Sequence, residues 1–241
     1  MTQLSHLLSS DHRDIDQQAT HLTDGTSSGL DALVNSLPDN DAAVANWQSL
    51  RNAMLQQGFY QSTLTNFERS ELENDSRRYI YEIGSFEPGS HDMLGFGPSA
   101  ISYSLRADGQ TALKTMNPES SSEYLQALET TSPFWTRYFD FDLESFRLLY
   151  VTRQLSKLTI QRDAYRTLLG TDVLSDFAEE WKALSRQNLI EIDSASVRLT
   201  ARGMFFSDTV ASVLSHRHHA ARLGRSGAAP QFLVGNRSGY M

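Results

Sequence analysis

Cysteine is absent from all 241 residues. That excludes disulfides, thiolate metal sites and any iron–sulfur cluster held by this chain's own sulfur. Long apolar runs are missing too, and none approaches the length a membrane helix needs. The first residues, Met1-Thr2-Gln3-Leu4-Ser5-His6, lack the charged start and long apolar segment of a secretory signal. A cytoplasmic protein is the expectation. Residues 1–50 contain no glutamate and no lysine, but seven aspartates. Residues 201–241 reverse the sign, with five arginines and three histidines against one aspartate. The net charge of −8 argues against wholesale nucleic-acid binding, because contacts to phosphate dominate that affinity. What is present is apolar and aromatic content of 39% and 10%, enough to bury a core over most of the length.

The chain reads as four stretches. Residues 1–39 are a polar lead-in with one short helix, Leu30 to Leu37. Residues 40–135 open on a helix whose apolar positions Val44, Trp47, Leu50, Met54 and Leu55 share a face, with Gly58 as its stop. Strands are expected at Phe59–Phe67, Tyr79–Ile83, Met93–Phe96 and Ala100–Leu105. Asn117-Pro118-Glu119 predicts a helix capped by Asn117. Residues 136–220 predict three helices (142–157, 160–169 and 172–187). A hairpin follows around Asp193-Ser194-Ala195-Ser196, and then a last helix from Met204 to about His219. That order is winged-helix-like. Residues 221–241, with four glycines from Gly224 onward, read as a flexible tail.

One segment carries the chemistry. Asp92-Met93-Leu94-Gly95-Phe96-Gly97-Pro98-Ser99-Ala100-Ile101-Ser102 is an apolar strand running into a Gly-x-Gly-x-Ser loop. Glycine permits a tight turn and close approach of backbone to a ligand. In an α/β sheet such a loop lies where ligands bind. Ser99 can hydrogen-bond, and Ile101 can pack on a flat ring. On spacing alone an ordinary strand-to-loop turn fits as well.

The surrounding order adds to this. Gln56-Gln57-Gly58-Phe59-Tyr60 and Asn66-Phe67-Glu68-Arg69 precede the loop. Leu184 to Asp193 and Val197-Arg198-Leu199-Thr200-Ala201-Arg202-Gly203 follow it. Collinear over roughly residues 30 to 215, these segments resemble the oxygen-independent coproporphyrinogen III oxidase family of radical S-adenosylmethionine (SAM) proteins. The family's aromatic-Gln-Gly is replaced here by Tyr81-Glu82-Ile83-Gly84. The resemblance implies an α/β (α+β) fold: the last strands of a partial radical-SAM barrel, followed by a mostly helical C-terminal domain. It also implies that this chain corresponds to the C-terminal portion, and that the cluster cysteines belong to the front. Gly95, Gly97, Ser99, Ala100 and Ile101 would line the SAM side. The [4Fe–4S] cluster expected in the family could not be bound by this chain. The implied partners are a tetrapyrrole-type small molecule and either a cluster-bearing chain or a second copy, with no nucleic acid and no membrane.

Other residues are weighed beside these. Arg77 and Arg78 could bind propionates through guanidinium–carboxylate pairing, or simply solvate the surface. Glu82, Glu87, His91 and Asp92 lie near the loop; they could supply acid–base chemistry or hold a propionate-bearing substrate, but read as solvated loop residues. His216 and His219 share a helix face, but a basic helix end explains them without a metal. No catalytic residue and no metal ligand is assigned. A non-catalytic haem-binding module and a winged-helix regulator are the alternatives, the latter opposed by the acids in 172–187. A truncated barrel predicts an open sheet edge, and with it pairing between chains.

Overall fold

The structure, a computed structural model, describes residues 40–129, 135–226 and 233–234; for 219–226 and 233–234 only the backbone is described. The expected lead-in with its helix 30–37, and most of the expected tail, lie outside these residues. The chain divides into two compact units, Met1–Trp47 and Gln48–Met241. Helix α1 (Asn40–Gln56) runs across the division, and within the first unit it buries Val44. Gly58, in left-handed backbone (φ 79°), follows the helix.

The second unit is mixed α+β, as expected, and every ladder among its described residues is antiparallel. Phe59–Phe67 is a hairpin rather than one strand: β1 (Phe59–Gln61) pairs with β2 (Phe67–Arg69). The Ser62 and Thr63 amides both donate to Asn66 O and close the turn. Tyr79–Ile83 is not a strand. Its core is helix α2 (Tyr81–Ser85), which holds Glu82 where its carboxylate accepts from Thr63, Thr65 and Asn66. That side-chain anchor outweighs the strand preference of an aromatic, β-branched run.

Met93–Phe96 is irregular apart from one bridge, Met93 to Tyr103. Strand β3 (Ile101–Leu105) pairs with β4 (Ala112–Met116), β4 with β5 (Arg137–Phe141), and β5 with the short β9 (Leu233–Val234). The expected open edge is covered where β3 lies. Tyr103 and Met93 exchange backbone hydrogen bonds of 2.8 Å, and Asp92 accepts from the Leu105 amide at 2.7 Å. The helix expected at Asn117 begins later, as α3 (Ser121–Leu128). Ser120 is its cap, accepting from the Glu123 amide. Asn117 is buried and employed elsewhere.

Residues 142–214 hold most of the core. Helix α4 (Leu143–Ser156) is capped by Asp142. Then come β6 (Thr159–Gln161), α5 (Arg162–Leu169) closed by left-handed Gly170, α6 (Val173–Asp176) and α7 (Ala178–Arg186). The hairpin is β7 (Ile190–Ile192) and β8 (Ser196–Leu199). After it run α8 (Ala201–Phe205) and α9 (Ser207–Ser226). The sheet order β6-β8-β7 completes a winged-helix arrangement; the sequence reading lacked β6. Phe146, Val151, Ile160, Tyr165, Val173 and Val197 are fully buried in it. The Tyr165 hydroxyl donates to Asp176 at 2.7 Å, and the Trp181 indole N–H to Val173 O at 2.8 Å. Each buried polar tip therefore has a partner. No helix among the described residues is long and apolar enough to cross a membrane.

Candidate functional site

The glycine loop is built by its attachments. Gly95 has no room for a side chain, since an added Cβ would lie 2.5 Å from Ile101 O. Gly97 has φ 98°, which favours glycine, and open space around it. Ser99 is also left-handed, at φ 57°. Its amide donates to Pro118 O at 2.8 Å, and the Asn117 amide donates to Ala100 O at 2.9 Å. The Asn117 side-chain amide donates to both Gly95 O (3.2 Å) and Gly97 O (2.9 Å). The Gly95 amide in turn donates to Ser102 Oγ at 3.0 Å. Two elements thus fix the loop: the start of β3 and the end of β4.

This loop forms one side of an open cavity of about 600 Å³. The volume lies in the range of about 300–1,000 Å³ common for small-molecule sites. Gly95, Ser99, Ala100 and Ile101 line it; Gly97 does not. Ile101 is 41% exposed, so its side chain is reachable from solvent. Around it the rim is apolar and wet: Leu94 and Phe96 are 77% and 83% exposed, and Tyr81, also exposed, lines the same cavity. Tyr103 and Lys114, on the same sheet face as Ile101, line it too, with Phe141, Leu149 and Arg153. The Tyr103 hydroxyl donates to Pro88 O at 2.6 Å, and burial raises its pKa. Tyr150, behind this wall on α4, is pushed up to about 12, by burial first and then by the charge of Glu87.

Of the other sequence candidates, Glu87 and His91 also line this cavity, and Arg77, Arg78, Glu82 and Asp92 do not. Arg77 is held by Asp75, with guanidinium contacts of 2.9 Å to both carboxylate oxygens. Arg78 borders a neighbouring cavity with His91, Asp92 and Lys157. Glu82 is bound by three side chains, Glu87 pairs with Lys157 and accepts from Gln154, and Asp92 holds the edge of β3. His91 lines the loop cavity and meets Ser90 Oγ through Nδ1 at 2.8 Å. His218 Nδ1 lies 3.7 Å from Glu144; the His219 side chain is outside the described residues. Among the described residues no cluster of histidines and carboxylates could hold a metal ion.

Three participants were not singled out from sequence. Asn117 gave no signal, because its role depends on the register that brings Ala100 beside it. Lys114 had one: alternation along β4 puts it on the same face as the buried Ala112. Arg153 had one too, lying seven residues after the fully buried Phe146 and so on the inward stripe of α4.

No protein-family model and no curated protein sequence matches the chain. A solved structure does: the coproporphyrinogen III oxidase HemN of Escherichia coli, described as a radical SAM enzyme. The TM-score is 0.53 at 17% sequence identity, over 75% of this chain and 42% of that one. The likeness shows a related α+β fold, and the chain spans less than half the length of the protein it matches.

Proposed function

We propose that this chain serves as the C-terminal portion of a coproporphyrinogen III oxidase-like radical SAM system in cytoplasmic haem metabolism, contributing the cofactor- and substrate-facing surface. The observation that carries this is the open cavity walled by Gly95, Ser99, Ala100 and Ile101. The apolar faces of Met93, Phe96 and Ile101 suit a flat ring, whether the purine of SAM or a tetrapyrrole. The [4Fe–4S] cluster does not fit, because the chain offers no cysteine. A cluster-bearing partner would have to supply it, and the chain alone is inactive in radical chemistry.

The test is direct. Haem titration followed at the Soret band, and equilibrium dialysis with SAM, are expected to give saturable binding of at least one ligand. Ile101→Asp is expected to weaken it at least tenfold with the circular dichroism spectrum unchanged. Absence of saturable binding of either ligand by the wild-type chain rejects the proposal. A stoichiometric cluster after anaerobic reconstitution would reject the claim of inactivity.

The missing cysteines favour a second reading, a tetrapyrrole-binding module without catalysis. Haem binding without SAM binding selects it. The winged-helix strand order also invites a DNA-binding reading. Against it, the segment 172–187 sets Asp172, Asp176, Glu179 and Glu180 against Lys182 and Arg186. No salt-sensitive gel shift is expected.

A further inference from the structure

Lys114 on β4 and Arg153 on α4 line the loop cavity together and are each half-buried. Among the described residues neither makes an ion pair or a side-chain hydrogen bond. The guanidinium of Arg153 instead lies 5.6 Å from the centre of the Phe86 ring. Neighbouring carboxylates are already committed: Glu87 to Lys157 and Gln154, Asp92 to the Leu105 amide, Asp140 to Arg106. Burial, followed by the charge of Arg153, lowers the pKa of Lys114; burial also lowers that of Arg153. Two like charges held half out of water without a counter-ion raise the free energy of the folded chain. Folding alone gives no reason to keep them, and groups perturbed in this way concentrate at binding sites.

We propose that Lys114 and Arg153 form an oxyanion-binding subsite that receives a carboxylate from an otherwise largely apolar ligand. Arg153 offers a planar, two-point donor to a carboxylate, and Lys114 adds a compact charge beside it. The rest of the lining is mixed, with Met93, Leu94, Phe96, Ile101, Phe141 and Leu149 beside Ser85, Glu87, His91 and Ser99, so the body of the ligand is largely but not wholly apolar. The inference rests on reading this cavity as a ligand site. It does not require the ligand to be a tetrapyrrole.

Citrate is the first probe. In the wild-type chain, citrate is expected to raise the pKa of Lys114, read from its side-chain NMR signals, and to raise the melting temperature. Lys114→Met and Arg153→Met keep the apolar stems. Both variants are expected to melt at or above the wild-type temperature without citrate, and to lose the citrate-induced rise. An unmoved Lys114 titration, which needs no variant, overturns the subsite. So does a citrate effect that survives both substitutions. Coproporphyrin III is the second probe, with binding expected to weaken at least tenfold in each variant. Equal binding by wild type and variants overturns the subsite and leaves the tetrapyrrole reading standing. A citrate response without coproporphyrin binding leaves the subsite standing and removes that reading.

Discussion

Residues 79–138 and 142–214 are both rich in large apolar side chains but place them differently. In the second stretch they go inside: Phe146, Tyr165, Ile160, Leu184 and Leu214 are sealed from solvent, and Leu143 and Ile192 are the large apolar residues left exposed. In the first, Tyr79, Ile80, Tyr81, Leu94, Phe96, Ile101, Leu125, Leu128, Trp135 and Tyr138 are all exposed, while Tyr103 and Ala112 are buried. Scattered apolar residues on a surface are ordinary, but neighbouring ones around a cavity mark a surface made to be covered. The winged-helix region buries its own apolar side chains. The loop region ties its glycine turn by hydrogen bonds and leaves its apolar side chains uncovered.

The largest break in that contrast comes from matched truncations. Phe146→Ala is expected to cost about 3–5 kcal/mol in urea denaturation. Phe96→Ala is expected to stay within about 0.5 kcal/mol. Comparable losses at both positions would show that the loop region is packed after all. Next in size is Asn117→Ala. It removes the side-chain donor to the Gly95 and Gly97 carbonyls, of which Gly97 keeps the Ala100 amide at 3.3 Å, and is expected to cost about 1–3 kcal/mol and loosen the cavity wall. Unchanged stability would mean that the loop holds its own shape.

The smallest effect depends on pH. The carboxyl of Asp172 is held well below its ordinary value of 3.8, first by Arg162, then by the Leu174 amide and Arg166. A depressed carboxylate stabilises the fold above that ordinary value and loses its contribution as pH falls below it. The wild-type melting temperature is therefore expected to fall more steeply below pH 3.8 than that of Asp172→Asn. Parallel curves would remove Asp172 from the account of the winged-helix region.

Much of the helical region was legible in the sequence because its signals are local. Asp142, Asp172 and Gly170 sit where caps and stops belong, and the 3.6-residue period marks the buried face. The loop region was less legible because its determinants are distant in sequence. Glu82 turns an apparent strand into a helix through side chains 16 to 19 residues away. Asn117 reads as a helix cap beside Pro118, but it faces glycines 20 and 22 residues back. The Gly-x-Gly-x-Ser loop could be seen in the sequence. The pair of cations in the same cavity could not, because only the register of β4 and the packing of α4 bring Lys114 and Arg153 together.

The double hook of Asn117 on Gly95 and Gly97 has a kinetic consequence. A wall tied at two carbonyls before anything arrives has little conformational freedom left to lose, so an incoming molecule meets a surface already in shape. For a ligand of the kind proposed above, encounter rather than rearrangement would then set the pace of capture, and affinity differences among related guests would fall mainly on how fast they leave.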